Sequence, residues 1–262
     1  MAGLCCDTLL YPLDCARANL NAPRQGAAAL PTHPVKALTA ISKELYASGR
    51  LFRGYACVPY FAPVAYALYF GSYEYWSAAT ESELVAGLAA EASANPVYIP
   101  YDVMKQRFMV GAEAAGASVP AAVGGVLARD GAAAGLYRGF LLTFATYGPF
   151  SAIYFQSYAS LTAAIRALSP SKSDAPLACG AAAGAIAGTA TQPIDWLKTR
   201  VQVAEETRLS LGTMVADAVR DEGVATMFRG AAARAFWLGA SCGITMHVYE
   251  AGKRVLGVGR RP

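Results

Sequence analysis

Charged side chains are scarce in this chain. They make up 15% of its 262 residues, whereas about 25% is typical of a soluble domain. Hydrophobic residues account for 55%, and the mean hydropathy is +0.31. Lysine and arginine exceed aspartate and glutamate by only four, with no dense basic run, which excludes a nucleic-acid-binding patch. This balance favours a membrane protein over soluble, disordered or secreted mini-protein classes.

Histidine is also rare, with His33 and His247 as its two copies, and the six cysteines show no Cys-x-x-Cys spacing. A zinc site or another metal centre is therefore not predicted, and the cysteines are expected to be reduced. No histidine accompanies a nucleophile in a credible catalytic arrangement, so we expect neither an enzyme nor a bound cofactor.

Six apolar stretches are spread along the chain. They cover 1–11, 55–73, 84–101, 139–165, 175–194 and 235–249. A span across the hydrocarbon core needs about 20 mainly apolar residues. The second, fourth and fifth stretches approach or exceed that length without a charge, and the third contains only Glu91. The first stretch is the shortest and shows no presequence or signal-peptide pattern, so we do not interpret it as a removable segment.

Two short motifs recur three times in step. A Pro-x-Asp-x-x-basic motif begins at Pro12, Pro100 and Pro193, so its copies are 88 and 93 residues apart. An aromatic-Arg-Gly tag follows each copy at nearly the same spacing. The tags are Phe52-Arg53-Gly54, Tyr137-Arg138-Gly139 and Phe228-Arg229-Gly230. Motifs that recur in phase indicate an internal triplication.

The triplication predicts one transmembrane domain, 1–262, made of three repeats with two spans each. The repeats are placed at roughly 1–78, 79–165 and 166–262.

The repeated motifs resemble those of the mitochondrial carrier family over essentially the whole chain. The resemblance implies an all-α membrane protein, with six transmembrane helices in a three-fold pseudo-symmetric bundle. It also implies short amphipathic matrix helices near Pro34–Ala47, Ala121–Arg129 and Leu211–Arg220. The implied activity is solute exchange across the mitochondrial inner membrane by alternating access, carried out by a monomer; the plastid envelope is the alternative location.

The first repeat departs from the family pattern at two positions. Ser48 stands where an acidic residue usually precedes a glycine, although Asp130 and Glu222 keep the acid in the other repeats. Asn19 replaces the basic residue that Arg107 and Arg200 supply elsewhere.

The aspartate and the base of each Pro motif are three residues apart and share one helix face. Charges at membrane depth persist only when they are paired or line water. The resemblance assigns a matrix gate in cyclic order, with Gln202 as a hydrogen-bonding brace: Asp14 with Lys105, Asp102 with Lys198, and Asp195 with Arg17. The alternative is that each pair forms within one helix and merely solubilises its end.

The family's opposite, cytoplasmic gate is poorly represented. Its aromatic-acid-x-x-base pattern is complete only in the third repeat, at Glu250 and Lys253, whereas Glu74 in the first repeat has no base at Ser77. We therefore expect a weak outer closure held mainly by packing.

The three tags precede helices, and free amides at a helix N-terminus attract phosphate. By resemblance, Arg53, Gly54, Arg138, Gly139, Arg229 and Gly230 bind cardiolipin in the bilayer. The alternative is that these arginines and aromatics only anchor the helices at the membrane interface.

An asymmetric solute must be held by residues that differ among the repeats. At matching positions the sequence offers two acids, Asp7 and Glu91, and a level of mostly aromatic side chains. That level contains Phe61, Thr146, Tyr147 and Trp237. Acids and aromatics suit a cationic or zwitterionic solute with a flat ring, through charge pairing and cation–π contact.

Within the family, the chain is similar to members that carry S-adenosylmethionine, in exchange for S-adenosylhomocysteine. In one respect it differs: Thr146 and Tyr147 replace an Arg-Glu pair of those members, so a partner for the substrate carboxylate is missing. Two alternatives remain open. One is a carrier of another small zwitterionic or cationic solute, such as an amino acid or a different adenine cofactor, and the other is a carrier-like membrane scaffold that transports nothing.

Overall fold

The computed structural model of the chain describes residues 8–23, 30–80, 83–114, 116–168, 176–204 and 210–256. Throughout these ranges the chain forms helices joined by turns and contains no strand. The α-helices given bounds within these ranges are α1 Tyr11–Asn21, α2 Pro34–Ala47, α3 Cys57–Ala79, α4 Glu83–Val110, α5 Val119–Gly131, α6 Phe140–Leu168, α7 Pro176–Ala190, α8 Gln192–Val203, α9 Leu211–Glu222 and α10 Ala231–Leu256. A π-helical turn, Ala132–Leu136, and a 3-10 turn, Val224–Phe228, precede α6 and α10.

The all-helical class predicted from the sequence is confirmed. The six-span topology is not: of the helices in the described ranges, none combines the length and the apolarity that a membrane crossing requires.

Each third of the chain has the same order of helices. A helix with the Pro motif comes first (α1, α4, or α7 with α8), a short helix follows (α2, α5, α9), and a second long helix ends the unit (α3, α6, α10). The short helices coincide with the three segments that the resemblance implied.

The Pro motifs shape their helices differently. Pro12 and Pro193 lie in the first turn of α1 and α8, where the missing amide hydrogen breaks no helical hydrogen bond. The apolar stretch 175–194, expected as one span, is accordingly two helices separated at Thr191. In α4 the helix continues through Pro96 and Pro100.

The larger hydrophobic core of the described residues is formed where α1, α2, α3, α4 and α5 pack together, with Ala233 of α10 added to it. It is built around Tyr11, Ile41, Leu45, Met104 and Met109, each at most 1% exposed. The last third packs differently. Gly180, Gly184 and Gly188 lie on one face of α7, where a Cβ on Gly184 would come 2.8 Å from the backbone oxygen of Leu238 in α10. Small residues thus let these two helix backbones approach closely.

The glycines of the three tags, Gly54, Gly139 and Gly230, lie against the motif helix of the next repeat. A Cβ on Gly54 would come 2.8 Å from Phe108 Cβ in α4, and one on Gly139 would come 3.2 Å from Gln202 Cγ in α8. A Cβ on Gly230 would overlap the amide oxygen of Asn21 in α1. The contacts run in a cycle, and they hold the three motif helices around one centre.

Gly184→Ala is expected to lower the free energy of unfolding by about 1–3 kcal/mol, because the new methyl group must push α7 away from α10. The matched control is Gly124→Ala in α5, where nothing lies within 4 Å of an added Cβ. That change is expected to leave stability unchanged or raise it, since alanine favours helix over glycine. Thermal unfolding of the two purified variants measures the difference, and equal midpoints would contradict the packing argument.

Candidate functional site

Six charged side chains of the three Pro motifs form a closed ring where α1, α4 and α8 meet; we call it the motif ring. Lys105 Nζ lies 2.7 Å from Asp14, Lys198 Nζ 2.8 Å from Asp102, and Arg17 Nη1 2.7 Å from Asp195. All six residues are buried, with no more than 8% of any one exposed. The links run from α1 to α4, from α4 to α8 and from α8 back to α1, in the cyclic order that the resemblance implied.

Arg17 also pairs within its own helix. Its Nη2 lies 2.7 Å from Asp14, and its Nε donates a hydrogen bond of 2.9 Å to the same carboxylate. The intrahelical alternative therefore holds in α1 in addition to the pair between helices. The Arg17 guanidinium lies 5.5 Å from the ring centre of Trp237, which joins the motif ring to α10.

Two glutamines brace the Asp102 carboxylate. Gln202 donates to it at 3.0 Å, and Gln106 donates to both of its oxygens at 3.2 Å. Gln106 also donates to the side-chain oxygen of Gln202 at 2.6 Å. The sequence analysis named Gln202 and missed Gln106, although its position four residues after Asp102 places both on one helix face.

Asp195, like Asp102, has three partner side chains among the described residues. Besides Arg17, it accepts a hydrogen bond of 3.0 Å from Asn21 and forms a salt bridge with Arg234 of α10. The sequence analysis missed Arg234. Its only signal was a lone charge at the edge of the last apolar stretch, with no repeat of its own.

A cavity of about 340 Å³ lies directly against the motif ring. Of the residues predicted to hold substrate, Glu91, Thr146, Tyr147 and Trp237 line it. Phe61 does not, because its ring packs into the core beside Tyr101 at a centroid distance of 6.2 Å. Asp7 lies outside the described residues.

Several aromatic residues that the sequence analysis did not single out also line the cavity. They are Tyr66, Tyr69, Phe70, Tyr98, Tyr101 and Phe150. Tyr98 and Tyr147 share a hydrogen bond of 2.9 Å between their hydroxyls, while the hydroxyl of Thr146 donates to the backbone of its own helix. The cavity wall therefore combines flat rings with charged side chains of both signs.

The predicted outer gate is not assembled by the residues that the structure describes. Glu74 is exposed on α3, and only its backbone oxygen has a recorded hydrogen bond, from Ser77. The side chains of Glu250 and Lys253 lie outside the described part. The outer gate stays a prediction.

The tag arginines are engaged within the protein. Arg53 donates to the backbone oxygen of Glu113 at 2.6 Å, and Arg229 donates to the Glu222 carboxylate at 2.7 Å. Arg138 donates to the backbone oxygens of Ala134, at 2.9 Å, and of Ala204. These bonds hold the short helices and loops, which is a structural role that the sequence analysis did not consider for the tags.

The two positions at which the first repeat departs from the family pattern, Asn19 and Ser48, are equivalent to two residues that bind each other in the third repeat. There, Arg200 donates to Glu222 at 2.7 Å. In the first repeat both positions are uncharged: Asn19 donates to the backbone oxygens of Cys15 and Met109, and Ser48 donates to its own helix. Base and acid are replaced together, so neither leaves an unpaired charge.

Glu222 at the end of α9 carries a shifted pKa. Partial burial raises the pKa, but hydrogen bonds from Arg200 and Thr226 and the charges of Arg200 and Arg229 outweigh it, so the pKa lies below its ordinary value of 4.5.

Comparisons with known proteins agree with this architecture. Residues 76–167 and 170–259 match the profile described as mitochondrial carrier protein. Mitochondrial substrate carrier family protein E of Dictyostelium discoideum is 29% identical over 278 residues, which cover 95% of this chain and 91% of the relative. S-adenosylmethionine carrier 1, chloroplastic/mitochondrial, of Arabidopsis thaliana is 31% identical over 268 residues, or 100% of this chain and 78% of the relative.

A third relative, mitochondrial glycine transporter B of Danio rerio, is 28% identical over 270 residues, covering 95% of this chain and 91% of the relative. The chain belongs to the mitochondrial carrier family. At this family level it is a transporter of small molecules.

Replacing Glu222 with glutamine is expected to reduce the pH dependence of stability. A carboxylate with a lowered pKa stabilises the fold above its ordinary pKa, and this contribution is lost as the pH falls through the folded-state pKa. Glu222→Gln should therefore cost about 1 kcal/mol near neutral pH and almost nothing once the pH is below the folded-state pKa. Unfolding of both proteins across this range measures the difference.

Asp217→Asn on the same helix is the control, because Asp217 and its partner Arg220 are both exposed. It should change stability by no more than about 0.5 kcal/mol at any pH. A constant gap between wild type and Glu222→Gln over the whole range would contradict the assigned role of Glu222.

Proposed function

We propose that this carrier exchanges S-adenosylmethionine for S-adenosylhomocysteine across the mitochondrial inner membrane, by alternating access and as a monomer. The observation that carries the proposal is an aromatic cavity containing a carboxylate, Glu91, directly against the motif ring. The proposed spans are α1, α3, α4, α6, α7 with α8, and α10. The plastid envelope is the alternative location.

The motif ring serves as the matrix gate in this proposal. A buried ion pair roughly balances its desolvation cost, so a ring of pairs can open for modest free energy. A solute that binds with millimolar to micromolar affinity supplies about 4–8 kcal/mol. Such a solute drives opening only if it binds the intermediate state more tightly than either end state.

The cavity chemistry supports a solute with a cationic centre and a flat ring. Glu91 has no hydrogen bond or salt bridge recorded to any described residue, so its carboxylate can face a sulfonium or ammonium group. Trp237, Tyr147 and the neighbouring rings offer stacking surfaces for an adenine. At the level of Tyr147 and Trp237, a nucleotide triphosphate would need arginines instead. Asp7 and Phe61 stay proposed substrate contacts, the latter only after a rearrangement that brings its ring to the cavity.

Two other proposed elements complete the transport cycle. Glu74, Glu250 and Lys253 form a weak outer gate. The amides at the N-termini of α3, α6 and α10 bind cardiolipin phosphate beside the tags, while the tag arginines hold the adjoining segments.

The Arabidopsis relative named as an S-adenosylmethionine carrier supports the choice of substrate. The Danio rerio relative named as a glycine transporter favours a second candidate, a small zwitterionic amino acid. The two relatives match similar shares of this chain. A scaffold without transport activity is the third candidate.

Uptake into liposomes separates these candidates. We expect protein reconstituted with internal S-adenosylhomocysteine to take up labelled S-adenosylmethionine, and not glycine. Glu91→Gln should slow the uptake about tenfold or more, because it removes the charge that faces the cation. Asp217→Asn is the matched control and should transport at the wild-type rate. Glycine uptake instead would favour the second candidate, and no uptake of either solute the scaffold.

Reversing one charge of the motif ring is expected to abolish exchange. Asp102→Lys places two cations together in a buried site, whereas Asp102→Lys combined with Lys198→Asp restores an opposite-charge pair and part of the rate. The matched control reverses the exposed pair, with Asp217→Arg and Arg220→Asp, and should keep full activity. Equal loss in the single and the double variant would remove the ring from the mechanism.

A further inference from the structure

Arg234 brings a fourth cation to the cavity wall. It lies on α10 one turn before Trp237, and 5% of its side chain is exposed. Its guanidinium forms a salt bridge with Asp195 through Nη1 and donates from Nη2 to the hydroxyl of Thr191 at 3.0 Å. Its Nε is buried and has no hydrogen-bond partner among the residues that the structure describes. A buried donor without a partner is costly, and an acceptor brought by a ligand would satisfy it.

The fold itself does not require a charge at this position. The equivalent residues, four after the tag glycine, are Val58 in the first repeat and Thr143 in the second, and both are buried. Nor does the motif ring require it, since the three motifs already supply three carboxylates and three cations, and Arg17 and Asn21 already bind Asp195. The positive charge of Arg234 is thus a feature of the cavity, not of the repeat.

The charges of the cavity wall are balanced in number but not in pairing. Its described lining residues include four acids, the fourth being Glu91, and four cations, the fourth being Arg234. Glu91 has no hydrogen bond or salt bridge to another described side chain, while Arg234 is a second cation on Asp195, which Arg17 already binds. Glu91, Tyr147 and Arg234 all line this cavity. A solute with separated positive and negative groups complements this arrangement.

We infer that Arg234 binds the carboxylate of an amino-acid-type substrate whose cationic group faces Glu91. This inference rests on the proposed function and supplies the carboxylate partner that Thr146 and Tyr147 lack. A planar guanidinium can bind a carboxylate through two parallel hydrogen bonds, which lysine cannot. The substrate carboxylate competes with Asp195 of α8 for Arg234. Occupancy of the cavity therefore removes one of the two arginines that bind Asp195.

The test compares S-adenosylmethionine with its decarboxylated analogue, which keeps the adenine, the sulfonium and the amine. Wild-type protein is expected to bind the parent compound about 10- to 100-fold more tightly, the range expected for hydrogen bonds between charged groups. In Arg234→Gln this preference should fall to about twofold or less, and Arg234→Lys should retain an intermediate preference. Dissociation constants from calorimetry give the ratios.

Arg220→Gln on α9 is the control, and it should keep the wild-type ratio because Arg220 is exposed and does not line the cavity. A purely structural role for Arg234 would weaken both ligands equally. An unchanged ratio in Arg234→Gln therefore overturns the inference. If Arg234→Gln does not fold, the test uses Arg234→Lys, which keeps the charge beside Asp195. An unchanged ratio of dissociation constants in that variant also overturns the inference.

A wild-type protein that binds neither adenosyl compound would refute the proposed substrate but not the role of Arg234. The same comparison is then made with glycine and methylamine, which differ by a carboxylate alone. A preference for glycine that Arg234→Gln removes supports the inference for an amino-acid carrier. A wild-type protein with no preference in either pair overturns it.

Discussion

Six charges buried at one point of a largely apolar molecule must neutralise one another, and this requirement governs how its helices can be arranged. Each aspartate of the motif ring meets a cation from another repeat, so α1, α4 and α8 can meet in only one cyclic order. Removing one partner would leave an uncompensated buried charge, which costs far more than the pair contributes. The cavity, the braces and the contacts of α10 are all built on this fixed arrangement.

The ring surrounds the base of a cavity that does not share its symmetry. The repeats supply the same backbone three times, but the cavity side chains differ: Glu91 has no acidic counterpart in the third repeat, and Arg234 has no charged counterpart elsewhere. In the proposed mechanism, the symmetric motif ring closes the base of the cavity, and the unequal side chains recognise the substrate. The two tasks therefore depend on different residues, and one can change without the other.

The pairs of the motif ring and the positions of the short helices were predicted from the resemblance to the family, which rests on motifs that recur three times in phase. The repetition alone left open whether each pair forms within one helix or between helices. Arg234 could not be found this way, since a residue that occurs in one repeat has no periodic signal. The partners of the tag arginines were also missed, because they are mostly backbone oxygens, such as those of Glu113 and Ala204, which have no signature in a sequence. The break at Thr191 depends on where the helix must bend, which the apolar run alone does not reveal.

The tag glycines imply that the three repeats are interdependent. Gly54 fits against α4, Gly139 against α8 and Gly230 against α1, so each repeat offers a smooth surface to its successor and receives one from its predecessor. A single repeat on its own would expose both its tag glycine and the surface of its motif helix that receives another tag glycine. A pair of repeats would still leave one tag glycine and one motif-helix surface without a partner. Only the third copy closes the circle, which makes a triplet the smallest complete unit of this architecture.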